Sequence, residues 1–215
     1  MREIVLDTET TGLDPKSGHR VVEIGCVELI NHMATDNTYW TYINPERDMP
    51  EEAFNVHGLS ESFLRDKQKF EEIAEDFLEF VEGAQLVIHN AEFDMGFLNA
   101  ELKRLHRAEL GNETVDTVRM ARQKFPGAHA NLDALCRRFG IDNSAREKHG
   151  ALLDAELLAE VYLELTGGRQ PGLLLSEDDS KPETIDLEVT EKTERKPRDH
   201  SASTEELEAH AAFLE

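Results

Sequence analysis

The sequence predicts a mixed α/β domain built around one sheet, followed by an acidic tail that does not join the core. Short β-branched and aliphatic segments come first in the chain, at residues 4–6, 21–30 and 38–43. Helical and strand patterns alternate after them, as they do where strands are joined by crossover helices. Beyond residue 168 acidic residues outnumber basic ones and large apolar residues become few, which predicts a disordered tail.

The later elements follow from apolar spacing. Apolar residues recur three and four positions apart in four segments, whereas one short apolar run has the length of a buried strand. The predicted helices lie at 70–81, 93–105, 132–139 and 152–165, and the predicted strand lies at 86–88. Gly167 and Gly168 end the last helix, because glycine commonly follows a helix C-terminus.

Length and charge limit the classes of function. A chain of 215 residues, 39% of them hydrophobic, is long enough for one well-buried domain and some additional chain. The net charge of −22 has the wrong sign for binding nucleic acid by counterion release alone. Any contact with nucleic acid must therefore be local or mediated by metal ions, which reverse the field of a carboxylate cluster.

The cysteines and the N-terminus indicate the compartment. Cys26 and Cys136 are the only cysteines, and both lie in apolar segments, so neither a disulfide framework nor a cysteine metal site is expected. No leader pattern and no apolar run of membrane-spanning length occurs. We therefore expect a soluble cytoplasmic protein without membrane contact.

Two carboxylates lie at the end of the first predicted strand. Because strand side chains alternate with period two, Asp7 and Glu9 project from the same face. Two neighbouring carboxylates repel unless a positive charge lies between them. The alternative is a polar turn at Thr10-Thr11-Gly12, and this pair alone does not decide between the two interpretations.

Two further carboxylates lie on predicted helices. Asp94 follows the strand at 86–88 and lies on the same apolar helix face as Leu98 and Leu102. The alternative is that Asp94 only caps its helix N-terminus or stabilises the helix dipole there. Asp154 faces the core beside Leu158, and a buried carboxylate needs a partner.

His149 completes a plausible hydrolytic site. Small residues that follow His149 begin the last predicted helix. On a continuous helix the side chains at positions 149 and 154 would point ~140° apart, so we place His149 on the preceding loop. Four carboxylates from three segments suit two hard divalent cations, Mg²⁺ or Mn²⁺, which stabilise an in-line phosphoryl displacement. His149 would then be the general base; the alternative is an ordinary surface histidine.

These residues form three motifs that resemble those of the DEDDh exonuclease family, in the same order. The motifs are Asp7-Thr8-Glu9-Thr10-Thr11-Gly12-Leu13, His89-Asn90-Ala91-Glu92-Phe93-Asp94 and His149-x4-Asp154. The resemblance implies a ribonuclease-H-like fold, with three early antiparallel strands and then parallel strands. It also implies that the four carboxylates bind two metal ions, that His149 is the base, and that the substrate is cut from its 3' end.

Substrate contacts are implied more weakly. Asn55-Val56-His57-Gly58-Leu59 resembles a segment that contacts the terminal nucleotide in this family, which indicates His57, with Glu52 beside it, as substrate-binding residues together with Asp7, Glu9 and Asp154. The alternative for His57 is a structural loop histidine. Leu13 and Phe93 are candidates for packing against the terminal base, with a simple core position as the alternative.

Within this family the sequence resembles the proofreading (epsilon) subunits of bacterial DNA polymerase III. This implies an exonuclease domain at 1–168, a flexible acidic linker at 169–203 and a polymerase-binding segment at 204–215 that contacts the catalytic (alpha) subunit. Within the linker, residues 170–175 lie where these subunits carry a sliding-clamp peptide, with contacts from Gln170, Leu173, Leu174 and Leu175. The alternative is an apolar patch in a flexible linker.

Two other functions remain open from the sequence. One is a 3'-to-5' exoribonuclease of the same fold, against which the long tail argues. The other is a non-enzymatic adaptor joining clamp and polymerase; retention of all five motif residues disfavours it, because buried like charges without metals are unfavourable. The same resemblance implies DNA 3' ends as substrate and localisation at the nucleoid, and it leaves open a small theta-like stabilising subunit.

Overall fold

The computed structural model describes residues 1–146 and 148–168, together with Thr204 and residues 210–212. The chain divides into two units, Met1–Leu173 and Leu174–Glu215. In the second unit, the described residues are helical and exposed.

Several predictions for the tail fall outside the described residues. These are the linker at 169–203, most of the polymerase-binding segment at 204–215, and the clamp contacts Gln170, Leu173, Leu174 and Leu175. They stay predictions, as does the division of the chain into an exonuclease domain, a linker and a binding segment.

The first unit contains a five-stranded sheet in the order β3-β2-β1-β4-β5. The strands are β1 (Arg2–Thr10), β2 (Val21–Ile30), β3 (Met33–Tyr42), β4 (Gln85–Ile88) and β5 (Thr114–Asp116). β2 pairs antiparallel with β1 and β3, whereas β4 pairs parallel with β1 and β5 parallel with β4. The predicted mixed sheet, antiparallel first and then parallel, is confirmed.

Seven helices surround this sheet in the described part of the chain. They are α1 (Glu51–His57), α2 (Glu61–Leu64), α3 (Phe70–Val81), α4 (Ala91–Arg104), α5 (Thr117–Lys124), α6 (Leu132–Phe139) and α7 (Ala151–Thr166). α3, α4, α6 and α7 match the four predicted helices. The sequence analysis did not predict α1, α2, α5 or the three-residue strand β5, which are short and have few apolar residues.

Helices pack against both faces of the central strand β1. Ile4 and Leu6 lie in one apolar cluster with residues of α3 and α4, whereas Val5 lies in a second cluster with residues of α6 and α7. All three side chains are fully buried, and each such burial contributes roughly 1.5–3 kcal/mol. Because the alternation continues along the strand, Asp7 and Glu9 lie on the α7 face and Thr8 lies on the α4 face.

Gly25 lets α7 lie directly against the sheet. This residue is opposite Asp7 in the β1–β2 register. A Cβ added at Gly25 would lie 2.3 Å from the backbone carbonyl carbon of Ala151, which no side chain tolerates. Ala151 and Ala155 are also fully buried, so small residues on both elements bring the start of α7 beside the end of β1.

Cys26 and Cys136 are both buried and unpaired. Among the residues that the structure describes, no helix is long and apolar enough to cross a membrane.

Candidate active site

The five motif residues come together from three elements at one edge of the sheet. Asp7 and Glu9 lie near the carboxyl end of β1, and Asp94 lies in the first turn of α4. Asp154 lies in the first turn of α7, whose N-cap is Gly150. His149 precedes that cap, so it lies on the loop, as its spacing from Asp154 predicts.

Glu9, His149 and Asp154 form the tightest part of this group. One candidate ligand atom from each residue lies within 4.8 Å of the other two. Glu9 and Asp154 are buried, at 7% and 3% exposure. The Oε1 atom of Glu9 is buried and has no hydrogen-bond partner among the described residues. A buried carboxylate oxygen without a donor is unfavourable, and a cation would satisfy it.

Asp94 is held in place by the strand beside it. The Oδ1 atom of Asp94 accepts hydrogen bonds from the backbone N–H of Thr8 at 3.0 Å and from the Thr8 hydroxyl at 2.7 Å. The parallel pairing of β1 with β4 ends at Leu6 and Ile88, so the Thr8 N–H is free to reach α4. Thr8 therefore links the two motifs across the α4 face of β1.

Burial raises the pKa of three site carboxylates, and neighbouring carboxylates add to the shift for Asp7 and Glu9. Burial raises the pKa of Asp94 to about 7, although the hydrogen bonds from Thr8 oppose the shift. Burial, then the charges of Asp154 and Glu23, raise the pKa of Glu9 to about 8. Burial, and then the charges of Asp94 and Glu9, hold the pKa of Asp7 well above its usual range. All these groups would be ionised at neutral pH if divalent cations lay between them.

The donor set fits hard divalent cations. Four carboxylates supply only oxygen ligands, which Mg²⁺ and Mn²⁺ prefer, and the unsatisfied Oε1 atom of Glu9 lies among them. Among the described residues, the group of candidate ligand atoms consists of Glu9, His149 and Asp154 and contains no cysteine. The residues present thus suit a metal-dependent hydrolase.

Arg146 is a site residue that sequence analysis missed. Its Nε and Nη2 atoms donate to the two oxygens of Asp154 at 2.5 and 2.6 Å, and its Nη1 atom donates to Asp133 at 3.0 Å. The Arg146 side chain is 8% exposed, so this pair is largely shielded from water. Any cation that binds Asp154 must compete with this guanidinium. No motif spacing marks Arg146, because only the folded loop brings it to Asp154.

His149 is placed to exchange protons with solvent. Its side chain is half-exposed, and its Nδ1 atom lies 3.0 Å from Arg146 Nη2 and 3.5 Å from Asp154 Oδ2. Desolvation, then the positive charge of Arg146, lower the pKa of His149 below its ordinary value of 6.5. The imidazole is therefore neutral at neutral pH. Its one lone pair, on Nδ1, accepts from Arg146 Nη2 and becomes available to a proton only when that contact breaks.

Glu23 is the second residue that sequence analysis missed. It pairs with Glu9 in the β1–β2 register and is 3% exposed. Its carboxylate accepts a hydrogen bond from Trp40 Nε1 at 2.7 Å and lies close to the backbone N–H of Ala151, which opposes the rise that burial causes in the carboxylate's pKa. Since α7 has no side-chain N-cap, Glu23 holds the end of the helix that carries Asp154. No periodic signal marks it, because apolar and polar residues do not alternate over residues 21–30.

The weaker substrate candidates have different environments. His57 is buried at the end of α1, and its Nδ1 accepts from the Leu59 N–H at 3.0 Å, which leaves the proton on Nε2. Desolvation lowers the pKa of His57 to about 4, so it is neutral. Its Nε2 faces the Thr10 backbone but completes no well-formed hydrogen bond among the described residues. Glu52 is exposed on the same helix.

The two apolar candidates also differ. Leu13 is 85% exposed and lies three residues after the end of β1. Phe93 is partly buried against the core cluster, and its ring lies 5.0 Å from that of Phe97. The geometry therefore keeps Leu13 available to a ligand and gives Phe93 a packing partner.

Known proteins match both the sequence and the fold. Residues 4–162 match the Exonuclease family model (RNase_T). DNA polymerase III subunit epsilon of Rickettsia felis is 53% identical, over 100% of this chain and 96% of the relative. The same subunit of Escherichia coli K12 is 43% identical, over 100% of this chain and 92% of the relative. The chain belongs to the DNA polymerase III epsilon family.

Solved structures agree with this membership. Exonuclease X in complex with 5' overhanging duplex DNA is 25% identical, with a TM-score of 0.60 over 76% of this chain and 90% of that one. The nuclease domain of 3'hExo, a DEDDh family member bound to rAMP, has a TM-score of 0.67 over 77% of this chain and 91% of that one. At 17% identity the second match shows the fold alone.

Membership of the epsilon family confirms the resemblance inferred from the three motifs. The chain is an exonuclease with the DEDDh fold, a fold family whose members use divalent metal ions.

Proposed function

We propose that this chain removes mispaired nucleotides from DNA 3' ends as the proofreading exonuclease of a replicative DNA polymerase. The observation that carries the proposal is the buried carboxylate cluster beside His149, with the Oε1 atom of Glu9 left without a donor. Relatives that match over the whole chain are subunits of DNA polymerase III, which supports polymerase proofreading as the context.

Asp7, Glu9, Asp94 and Asp154 would hold two divalent cations, Mg²⁺ or Mn²⁺. The raised pKa values of Asp7, Glu9 and Asp94 support this assignment, because they indicate negative charge that nearby protein groups do not neutralise. When bound, such ions supply positive charge that stabilises the attacking and leaving oxygens of a phosphoryl displacement.

His149 would take a proton from the attacking water. Its lowered pKa keeps it neutral before the reaction, and its half-exposed ring is open to solvent. Once protonated, the imidazolium would lie 3.5 Å from the Asp154 carboxylate, which favours its charge, and 3.0 Å from Arg146, which opposes it. Proton transfer to a positioned histidine typically contributes 10²–10⁴-fold to a rate.

The site would bind the terminal nucleotide without distinguishing which base it carries. Asp7, Glu9 and Asp154 would contact it through the site, and His57 would offer its unsatisfied Nε2–H, a buried donor beside the first motif. The exposed side chain of Leu13 offers an apolar surface for any base. Glu52 is a weaker candidate, supported by its place on α1 with His57.

The tail would join the exonuclease to its partners. We propose that Gln170, Leu173, Leu174 and Leu175 bind the sliding clamp and that residues 204–215 bind the polymerase alpha subunit; the support is their sequence alone. Gln170→Ala with Leu174→Ala in the full chain would then weaken clamp binding in a pull-down without slowing cleavage. Equal clamp retention by the variant and the wild type would contradict the clamp proposal.

The first experiment follows the shortening of a 5'-labelled single-stranded DNA, beside an RNA of the same sequence, with Mg²⁺ or with chelator. Asp7→Asn is the test variant, and Asp66→Asn, which changes an exposed aspartate outside the site, is the matched control. Stepwise loss from the DNA 3' end, absent in Asp7→Asn and slower on RNA, supports proofreading. Preference for RNA would make the chain an exoribonuclease, and cleavage independent of Asp7 would refute the assigned site.

A further inference from the structure

A groove lined by polar and positively charged residues lies beside the carboxylate cluster. It has a volume of about 770 Å³ and is formed by residues after β4, the end of β5, α5 and the segment at 129–131. Its polar lining includes His89, Asn90, Asp116, Arg119, Arg122 and His129. The proposed function uses none of these residues.

The groove carries positive charge on a strongly acidic protein. Arg119 and Arg122 lie three residues apart on α5, so both point to the same side of the helix. Both are exposed, and among the described residues neither lies within ion-pair distance of a carboxylate. Other arginines of this part of the chain, such as Arg20 and Arg107, are paired with glutamates. Arg137 on α6 is also exposed and unpaired among the described residues, but it does not line this groove. In a protein of net charge −22, a groove with two such arginines suits an anionic ligand.

The carboxylate in this lining does not cancel that charge. Asp116 is the acidic residue among the lining residues that the structure describes. Its Oδ1 atom accepts from the backbone N–H groups of Asn90 at 3.3 Å, Val118 at 2.8 Å and Arg119 at 3.3 Å. Asp116 therefore serves as the N-cap of α5, and the two guanidinium groups remain available.

The groove opens onto the catalytic edge. Leu6 and Ile88 are register partners in the parallel β1–β4 pair, so Asp7 and His89 follow them at the same edge. Asn90 is the N-cap of α4, which carries Asp94 one turn later. A strand whose 3' end reaches the carboxylates can therefore extend along this groove without crossing the sheet.

We propose that this groove binds the phosphodiester backbone of the substrate strand on the 5' side of the nucleotide being removed, with Arg119 and Arg122 contacting phosphates. The inference rests on the proposed exonuclease function and extends it to a strand-holding subsite. Phosphates rather than bases are the proposed ligand, because exposed arginines on a helix contact the backbone without reading sequence. The subsite would hold any frayed 3' end while its last nucleotide is cut.

The test compares two substrates that differ in length. One is the p-nitrophenyl ester of thymidine 5'-monophosphate, which has a single nucleotide, and the other is an oligothymidylate of eight nucleotides. The variant is Arg119→Gln with Arg122→Gln. Its matched control is Arg137→Gln, which removes the charge of an exposed arginine on α6 that does not line the groove.

We expect the ratio of kcat/KM for the octamer to that for the ester to fall on the order of tenfold in the double variant, since exposed ion pairs contribute modestly. The slope of log kcat/KM for the octamer against log salt should become shallower by about 0.7 for each arginine lost. Arg137→Gln should change neither quantity.

A binding measurement in the absence of catalysis distinguishes the strand-holding subsite from the exonuclease function. The affinity of a fluorescein-labelled octamer, measured by anisotropy in chelator, should fall in the double variant relative to Arg137→Gln. An unchanged affinity, or an equal loss of kcat/KM on ester and octamer, would overturn the subsite. A wild-type chain that cuts neither substrate would instead refute the exonuclease function, while the anisotropy measurement would still decide the groove.

Discussion

Glu9→Gln should stabilise the protein in chelator while abolishing its activity. The substitution keeps the size of the side chain and removes its charge. In the structure Glu9 is 7% exposed, its Oε1 has no donor among the described residues, and its strand partner is another carboxylate, Glu23. A neutral amide at this position relieves the repulsion that a divalent cation would otherwise neutralise.

The expected magnitude follows from the pKa of Glu9. Its value rises from an ordinary 4.5 to about 8, so the folded protein holds this proton over a range where the unfolded chain has lost it. A raised folded-state pKa contributes stability below pH 4.5 that is lost as pH rises towards 8. By pH 7 the loss is on the order of 3 kcal/mol at about 1.4 kcal/mol per unit. In a domain of this size it corresponds to a difference of roughly 6–12 °C in Tm.

The assay is thermal unfolding of wild type and Glu9→Gln in EDTA, between pH 4 and pH 8.5. The advantage of Glu9→Gln should be small at pH 4 and should grow with pH, and Mg²⁺ should raise the Tm of the wild type but not that of the variant. Glu160→Gln, which removes an exposed charge from α7, is the control. A constant difference across the pH range, or an equal gain in the control, would refute the argument from a buried, unneutralised carboxylate.

Three other substitutions test the remaining parts of the site. His149→Gln should lower kcat by about 10²-fold or more with unchanged Mn²⁺ affinity in calorimetry, and a lost affinity would make His149 a ligand instead of a base. Arg146→Gln should tighten Mn²⁺ binding and lower the Tm in chelator, since it frees Asp154 from its buried pair; weaker binding would contradict the competition. Gly25→Ala should destabilise the fold by about 1–3 kcal/mol, measured by urea unfolding, because the new Cβ meets the backbone of Ala151. A Gly25→Ala protein as stable as the wild type would show that α7 does not rest on the sheet there.

The parts of the fold that local patterns determine were predictable. The period of two along β1 places Asp7 and Glu9 on one face, and the apolar spacing of α3 and α7 sets their extents. β5 was missed because three residues are too few for a periodic pattern. α5 was missed because its interior contains Arg119 and Arg122, which face the groove rather than the core.

The sequence predicted the motif residues of the site. It did not predict the residues that hold those motif residues in place. Arg146 contacts Asp154 through a loop whose course no periodicity specifies. In the sequence, Glu23 is one polar residue in a predicted strand. Only the register of the folded sheet places it opposite Glu9 and close to Ala151. Such contacts depend on how elements meet, which a local pattern does not contain.

The register of β1 links the fold to the chemistry. Its α7 face presents Asp7 and Glu9 to Asp154, and its α4 face presents Thr8 to Asp94, so one strand positions carboxylates from both sides of the sheet. A slip of one residue would exchange the two faces, turning both carboxylates towards α4 and Thr8 towards α7. Two contacts oppose that slip. Gly25 accepts the α7 backbone only opposite position 7, and Thr8 meets Asp94 only where the pairing with β4 has ended. The interactions that fix the strand are therefore the same ones that assemble the proposed metal site, which ties correct folding of β1 to activity.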